Sequence, residues 1–182
     1  MEKKYDYSDV SIISDEISTL SSRNFADTGI DCFGTHLDLP LIASPMPDVC
    51  NGEMARNLAI LGCLGIIHRF QTIEEQVYQY KTVALGENTP LSLKNLPIPR
   101  AFVNTMQDEY REKLQKEIDN KIKRIACAVG IKGDYKERVQ ALYNAGCRIF
   151  CLDTANGANV FVGSAIDWIR EFELCPNIEL LE

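Results

Sequence analysis

The sequence lacks an apolar run long enough to cross a bilayer, since about 20 consecutive apolar residues are needed and none of that length occurs. Its start, residues 1–7, leads into no apolar stretch of the kind that a signal peptide contains. A basic stripe is also missing, because 19 Lys and Arg stand against 26 Asp and Glu for a net charge of −7. Nucleic-acid binding needs clustered cations that neutralise phosphates. These absences predict a cytoplasmic protein that binds neither nucleic acid nor membrane.

Two common cofactor motifs are missing as well. The seven cysteines include no C-x-x-C pair, which would indicate a zinc or redox site. Four of them lie inside or beside apolar runs, so we expect reduced, mostly buried thiols and no metal site. The segment after the first apolar run, Ser44 to Asp48, contains no G-x-G-x-x-G turn for a dinucleotide.

What the sequence does contain is a repeated unit of apolar strand, polar loop and amphipathic helix. The predicted core strands are Leu39 to Met46, Leu64 to His68, Ile125 to Val129 and Arg148 to Leu152, with the start of a fifth at Asn177 to Glu182. Helices are predicted from Asn51, from Thr72 to about Leu85 with Thr72 and Glu75 in capping-box register, from Gln107 to Lys123, from Tyr135 to Asn144 and from Phe161 to Phe172. Short strands are expected in the lead-in, at Val10 to Ile13 and Thr28 to Phe33.

Such alternation predicts a parallel sheet with helices packed outside it. A doubly wound sheet usually carries the glycine-rich turn that this sequence lacks, and a TIM barrel fits the even spacing better. A complete barrel takes about 250 residues and eight strands. We therefore predict the N-terminal half of a (β/α)8 TIM barrel, about four β/α units and the start of a fifth strand. Residues 1–182 are predicted to be the N-terminal part of a single barrel domain, with a proline-containing surface excursion near 86–106.

Ligands of parallel sheets bind at the carboxyl ends of the strands. Asp153 and Asn156 follow the strand that ends at Leu152, and an acid at the end of a buried strand needs partners. Asp153 is therefore interpreted as a site residue rather than only a helix N-cap. Without further information Ser44 is interpreted as a turn residue and Met46 as a core residue, and His68 is as readily a satisfied histidine at a strand end as a site residue.

Four segments carry a family resemblance. Leu41 to Met46, Gly65 to Gln76, Ala126 to Gly130 and Leu152 to Gly157 resemble, in order and at the strand ends, motifs of the IMP dehydrogenase/GMP reductase family. The lead-in at Tyr7 to Val10 resembles that family too. The resemblance implies an NAD(P)-dependent oxidoreductase, built as a TIM barrel and usually a tetramer. It would transfer a hydride between NAD or NADP and C2 of a purine nucleotide.

The resemblance also implies roles for individual residues. Ser44 would help to hold the nucleotide phosphate, and Met46 would pack on the purine base. The cofactor would be bound by Asp153, Thr154, Asn156 and Gly157. Asp153 would accept hydrogen bonds from ribose hydroxyls and orient the nicotinamide, while Gly157 would let the backbone approach closely.

The catalytic candidates are Asp153 and Arg69. Arg69 stands where the family usually has a lysine that reductases use near the reacting centre, and an arginine stays protonated and cannot act as a general acid as a tuned lysine does. The family's nucleophile is a cysteine in a loop of the form Gly-x-Gly-x-Gly-Ser-x-Cys-Thr-Thr. No such loop occurs among the 182 residues, and Cys50 lies in a different motif.

The resemblance leaves the reaction open. The segment Asp153 to Gly157 is closer to reductases, and the excursion is too short for the paired CBS module of most dehydrogenases, which favours GMP reductase with NADPH. Ser44 to Met46 resembles dehydrogenases equally well, so IMP dehydrogenase with NAD is the alternative. A non-catalytic nucleotide-binding or oligomer-interaction module, and a decaying protein without a stable fold, are the other hypotheses. All predict association, with a complementary C-terminal half, a full-length homologue or further copies of the chain.

Overall fold

A computed structural model of the chain describes residues 5–13, 17, 19–84, 112–113, 116, 125–171 and 179–181. Two short 3-10 helices, Tyr7–Asp9 and Arg23–Phe25, precede an antiparallel hairpin and a run of alternating strands and helices. These elements are β1 Ile30–Cys32, β2 Thr35–Leu37, β3 Ile42–Ala43, α1 Gly52–Ile60, β4 Leu64–Ile67, α2 Ile73–Ala84, β5 Ala126–Val129, α3 Tyr135–Asn144, β6 Ile149–Leu152, α4 Val160–Glu171 and β7 Glu179–Leu181.

The five strands β3 to β7 form one sheet in the order of the sequence, and every neighbouring pair is parallel. A doubly wound sheet would reverse its strand order at a switch point. Here each strand pairs with the next one along the chain, which is the order of a TIM barrel. The predicted fold class is confirmed, and the described residues correspond to the first five strands of such a barrel.

The two faces of the sheet bury different side chains because residues alternate along each strand. Ile67, Cys127 and Phe150 lie on the face that packs against the helices. Ile66 and Ala126, which are register partners, lie on the opposite face with Leu37 of the hairpin. The hairpin therefore contributes to the core of the face that a barrel turns inward.

The hairpin turn requires an unusual backbone. Phe33 and Gly34 have φ values of 50° and 64°, and positive φ at both central residues is the type I′ geometry that matches the twist of a two-residue hairpin. Ile30, Asp31 and Cys32 pair with Leu37, His36 and Thr35. The strand predicted within Thr28 to Phe33 is thus present, shortened to three residues.

Local sequence signals place the helix starts. The Asn51 side chain accepts a hydrogen bond from the Met54 N–H at 2.9 Å and caps α1. At α2, the Thr72 hydroxyl accepts from the Glu75 N–H, and the Glu75 carboxylate accepts from the Thr72 N–H. This is the reciprocal capping box that the sequence predicts.

Val10 to Ile13 does not form a strand, so that prediction is wrong. Ile12 and Ile13 are almost fully exposed, and none of the described strands pairs with residues 10–13. The strand predicted over Leu39 to Met46 is limited to Ile42 and Ala43, since prolines on both sides lack the N–H that a ladder needs. The excursion near 86–106 lies outside the described residues. So does the helix predicted over Gln107 to Lys123, apart from residues 112, 113 and 116.

Within the described residues, no helix combines the length and the hydropathy required to span a membrane.

Candidate active site

A cleft of about 280 Å³ lies at the carboxyl ends of β4, β5 and β6. It is formed by the loops that follow these three strands and by the start of α4. Its lining residues are Arg69, Gly130, Ile131, Lys132, Asp153, Thr154, Ala155 and Asn159. Since the carboxyl edge of a parallel sheet is where ligands of barrel proteins bind, this cleft is the candidate site.

The centre of the cleft is an ion pair between Arg69 and Asp153. The Nε–H of Arg69 donates to Oδ2 of Asp153 at 2.9 Å, and the two side chains are 34% and 26% exposed. The Asp153 N–H donates to the Val129 carbonyl at 2.9 Å, which anchors the acid to the end of β5. Both residues named as catalytic candidates therefore meet in one site.

Arg69 is held by more than its carboxylate partner. Its guanidinium carbon lies 4.7 Å from the centre of the Phe70 ring, within range of a cation–π contact. A Cβ added at Gly130 would lie 3.7 Å from Nη1 of Arg69, so the β5 loop passes directly beside the guanidinium. The ion pair thus spans the end of β5 and joins the loops after β4 and β6.

The predicted cofactor residues are only partly brought together. Thr154 lines the cleft beside Asp153. Asn156 and Gly157 are exposed and do not line it. The Asn156 side chain accepts from the Ala158 N–H at 3.0 Å, so it closes a local turn instead.

Five lining residues were not predicted as site residues, namely Gly130, Ile131, Lys132, Ala155 and Asn159. Two of them, Asn159 and Lys132, make side-chain contacts at the start of α4. Asn159 accepts from the Phe161 N–H through its side-chain oxygen at 3.0 Å, next to the start of α4. Lys132 places its Nζ 4.1 Å from the centre of the Phe161 ring. An asparagine before an apolar helix is a capping signal that the sequence does offer, whereas nothing local indicates that Lys132 reaches α4.

The predicted nucleotide-binding residues lie apart from the cleft lining. Ser44 and Met46 follow β3, and the Met46 N–H donates to the Ser44 carbonyl at 2.8 Å. Both are exposed, Met46 by 53%, so Met46 is not the core residue that its type alone suggests. They stand at the carboxyl edge of the same sheet, because β3 pairs with β4 in parallel.

His68 ends β4 and is 7% exposed. Its Nδ1 is buried and has no hydrogen-bond partner among the described residues, so within them it is not the fully satisfied strand-end histidine of the alternative interpretation. Burial lowers the pKa of His68, and the Asp48 carboxylate opposes this in part. The imidazole is therefore mainly neutral at pH 7.

The described cysteines show no sign of an activated thiolate. Cys50, Cys127 and Cys147 are completely buried. Burial raises the pKa of Cys127 well above its ordinary value, and the neighbouring Cys147 adds to the effect. Burial, with a smaller contribution from the Asp153 carboxylate, raises the pKa of Cys151 to about 11. The thiols of Cys127 and Cys151 are therefore neutral and behave as small core groups.

The family model described as "IMP dehydrogenase / GMP reductase domain" matches residues 4–179. The chain belongs to the IMP dehydrogenase/GMP reductase family. Among relatives, the chain is 28% identical over 192 residues to the inosine-5′-monophosphate dehydrogenase of Borreliella burgdorferi, covering 96% of this chain and 46% of that protein. It is 38% identical over 82 residues to that of Methanocaldococcus jannaschii, covering 45% and 16%. It is 32% identical over 96 residues to the GMP reductase of Leishmania donovani, covering 52% and 19%.

The chain thus spans less than half the length of these relatives of the IMP dehydrogenase/GMP reductase family. The family match extends over all five strands of the parallel sheet, apart from the last two residues of β7, and includes both members of the Arg69–Asp153 pair. Dehydrogenases and reductases both occur among the matches, so the comparisons identify the family and not the reaction.

Proposed function

We propose that this chain forms the nicotinamide-cofactor side of a purine-nucleotide oxidoreductase, in which a hydride moves between NAD(P) and C2 of the nucleotide. The observation that carries the proposal is the Arg69–Asp153 pair in a cleft at the carboxyl edge of a parallel sheet. Membership of the IMP dehydrogenase/GMP reductase family supports the same reaction class.

In this proposal Asp153 accepts hydrogen bonds from the cofactor ribose. Oδ2 is bonded to Arg69, and the carboxylate, which is 26% exposed, has further lone pairs to offer. Thr154, the next residue along the cleft, adds a hydroxyl that both donates and accepts. Asn156 and Gly157 would contact the cofactor only from the turn outside the cleft lining.

Arg69 acts as a fixed charge and not as a proton donor. A guanidinium stays protonated, and its bond to Asp153 holds the carboxylate in one orientation before the cofactor arrives. The proton that a family lysine would manage must then be supplied by another group. Arg69 and Asp153 together orient the nicotinamide ring, which is the positioning contribution to catalysis.

Ser44 and Met46 are proposed to bind the purine nucleotide. Both are exposed at the carboxyl end of β3, next to the loop that contains Arg69. A hydroxyl suits a phosphate oxygen, and a soft thioether suits the face of a base. The nucleotide would therefore lie along the β3–β4 side of the sheet and the cofactor along the β5–β6 side.

For the reaction we favour the reduction of GMP to IMP by NADPH with release of ammonia. The segment Asp153 to Gly157 is closer to the reductase form of the family motif. Oxidation of IMP to XMP with NAD is the second candidate, favoured by the match to a dehydrogenase over 96% of the chain. The substrate pair that the protein turns over, GMP with NADPH or IMP with NAD, separates the two.

Turnover needs the family's cysteine loop, which is not among these 182 residues. We propose that this loop is supplied by a complementary C-terminal half or by a full-length homologue in an oligomer, with residues 1–182 as the N-terminal part of a single barrel domain. The six cysteines in the part of the chain that the structure describes are free thiols: Cys32, Cys50, Cys63, Cys127, Cys147 and Cys151. This supports a reducing location, the cytoplasm.

Equilibrium binding of NADH and NADPH, followed by nicotinamide fluorescence, tests the proposal. We expect saturable binding by the wild-type chain and at least tenfold weaker binding by Asp153→Ala. Asp167→Ala, which removes an exposed acid on α4, is the matched control and should bind like wild type. Equal binding by Asp153→Ala and wild type would contradict the proposal.

A further inference from the structure

A buried polar network joins α2 to the strand ends that carry the cleft. Gln76 is fully buried, and its side-chain amide donates to the carbonyls of Ile67 at 3.2 Å and Ala128 at 2.9 Å. These carbonyls lie at the carboxyl ends of β4 and β5. One side chain therefore bridges two neighbouring strands just before the loops that contain Arg69 and Lys132.

The second member of the network is Arg138, a cation on α3 that is 5% exposed. Nη1 donates to Oε1 of Gln76 at 2.8 Å, and Nη2 donates to the Gln71 carbonyl at 3.0 Å and to Oδ2 of Asp134 at 2.7 Å. A buried guanidinium is costly unless its donors are satisfied. Arg138 on α3 is thereby bonded both to the end of the loop after β5 and to the loop after β4.

Gln71 carries this restraint to Arg69. The Gln71 N–H donates to the Arg69 carbonyl at 2.8 Å, and its side-chain amide donates to the His68 carbonyl at 2.8 Å. Its side-chain oxygen accepts from Gln79 at 2.7 Å. Gln71 thus bonds to the backbone of the loop that contains Arg69, and Arg138 bonds to the backbone of Gln71.

We propose that Gln76 and Arg138 are positioning residues, which set the geometry of the Arg69–Asp153 pair and so the affinity of the cleft for a nicotinamide dinucleotide. Replacing a buried polar pair by an apolar pair of the same shape is often nearly neutral for stability. Here it would also remove the donors to the carbonyls of Ile67, Ala128 and Gln71. What an apolar pair lacks is direction. Only the hydrogen bonds fix the ends of β4 and β5 relative to each other.

The second half of this proposal, the affinity, rests on the proposed function, whereas the first half, the geometry, does not. The variant that separates geometry from stability is the double substitution Gln76→Met with Arg138→Met. Gln76→Met alone leaves Arg138 buried without one acceptor and should lower the melting temperature, while the double variant should recover most of that loss. Gln140→Met is the matched control, because Gln140 lies on α3 with Arg138 and its amide bonds to Asn144 at the surface.

The geometric readout is the exchange rate of the Arg69 Nε–H, followed in a ¹⁵N-resolved NMR spectrum. We expect the double variant to exchange this proton at least tenfold faster than wild type, and Gln140→Met to match wild type. A folded double variant with unchanged exchange overturns the proposal. Should the double variant not fold, Arg138→Lys replaces it: one ammonium cannot reach all three acceptors, so faster exchange is again expected and unchanged exchange again overturns the idea.

The functional readout is the affinity for NADH and NADPH. The double variant should bind on the order of tenfold to 100-fold more weakly, the size of loss that outer hydrogen-bond partners cause at metal sites. Wild-type affinity in a folded double variant would overturn the positioning role. If the double variant exchanges the Arg69 proton faster but the wild type binds no dinucleotide, the geometric half of the proposal is supported and the proposed function is contradicted.

Discussion

The Arg69–Asp153 ion pair gives the sharpest energetic prediction for the site. Its N···O distance is 2.9 Å, and the two side chains are 34% and 26% exposed. Fully exposed ion pairs are worth about 0.2–1 kcal/mol, and hydrogen bonds to charged groups about 1.5–3 kcal/mol. Because this pair is mostly but not fully buried, we expect a coupling free energy of about 1–2 kcal/mol.

A double-mutant cycle measures that coupling. Urea unfolding of wild type, Arg69→Met, Asp153→Ala and the double variant gives four free energies, whose non-additive part is the interaction. A parallel cycle between Arg69 and Asp167, an exposed acid on α4, should be additive. Distant sites usually add within about 0.3–0.5 kcal/mol. A coupling no larger than this for Arg69 and Asp153 would refute the pairing and with it the preorganised carboxylate.

Three further predictions concern the scaffold and the thiols. Gly65→Ala should destabilise the protein by about 1–3 kcal/mol or more, because the new Cβ would overlap Ala55 of α1; Gly163→Ala, with open space in α4, should stabilise it by about 0.5–1 kcal/mol, and urea midpoints would reveal any reversal. Thr72→Ala should cost about 1 kcal/mol by removing the hydroxyl that accepts from the Glu75 N–H, one of the two bonds of the capping box. No change in unfolding free energy would contradict that role. Cys151 should react slowly with a thiol reagent at pH 8, because its pKa is raised to about 11. Rapid labelling at pH 8 would contradict the burial of this thiol. For the same reason the contribution of Cys151 to folding stability is complete below pH 9, the ordinary thiol pKa, and is lost as the pH rises towards 11.

The fold could be predicted largely from local signals. The start of α2 follows from Thr72 and Glu75, whose reciprocal bonds are formed by residues three apart. The parallel order follows from the alternation of strands and helices. Exact strand lengths could not be predicted from the sequence. The strand β3 ends early because of prolines that still form part of an apolar run. Val10 to Ile13 shows the converse, because a β-like sequence without a described neighbour has no ladder to join.

The site was predictable where it depends on strand ends and not where it depends on contacts between distant segments. Asp153 follows a buried strand, so its position alone marks it. The bond from Arg69 spans 84 positions and has no local signature. The same holds for Lys132, whose partner Phe161 lies on another element. Arg138 is the strongest case, since a charged residue in a helix reads as a solvated one until the fold buries it.

The central claim is that the carboxyl-edge cleft binds the ribose of a nicotinamide dinucleotide through Asp153. A crystal structure of the chain grown with NADPH or NADH tests it most directly. The account predicts a ribose hydroxyl about 2.5–3.0 Å from the Asp153 carboxylate, with the bond from Arg69 retained. A dinucleotide bound away from this cleft, with Asp153 bonded to Arg69 and to no ribose, would contradict it.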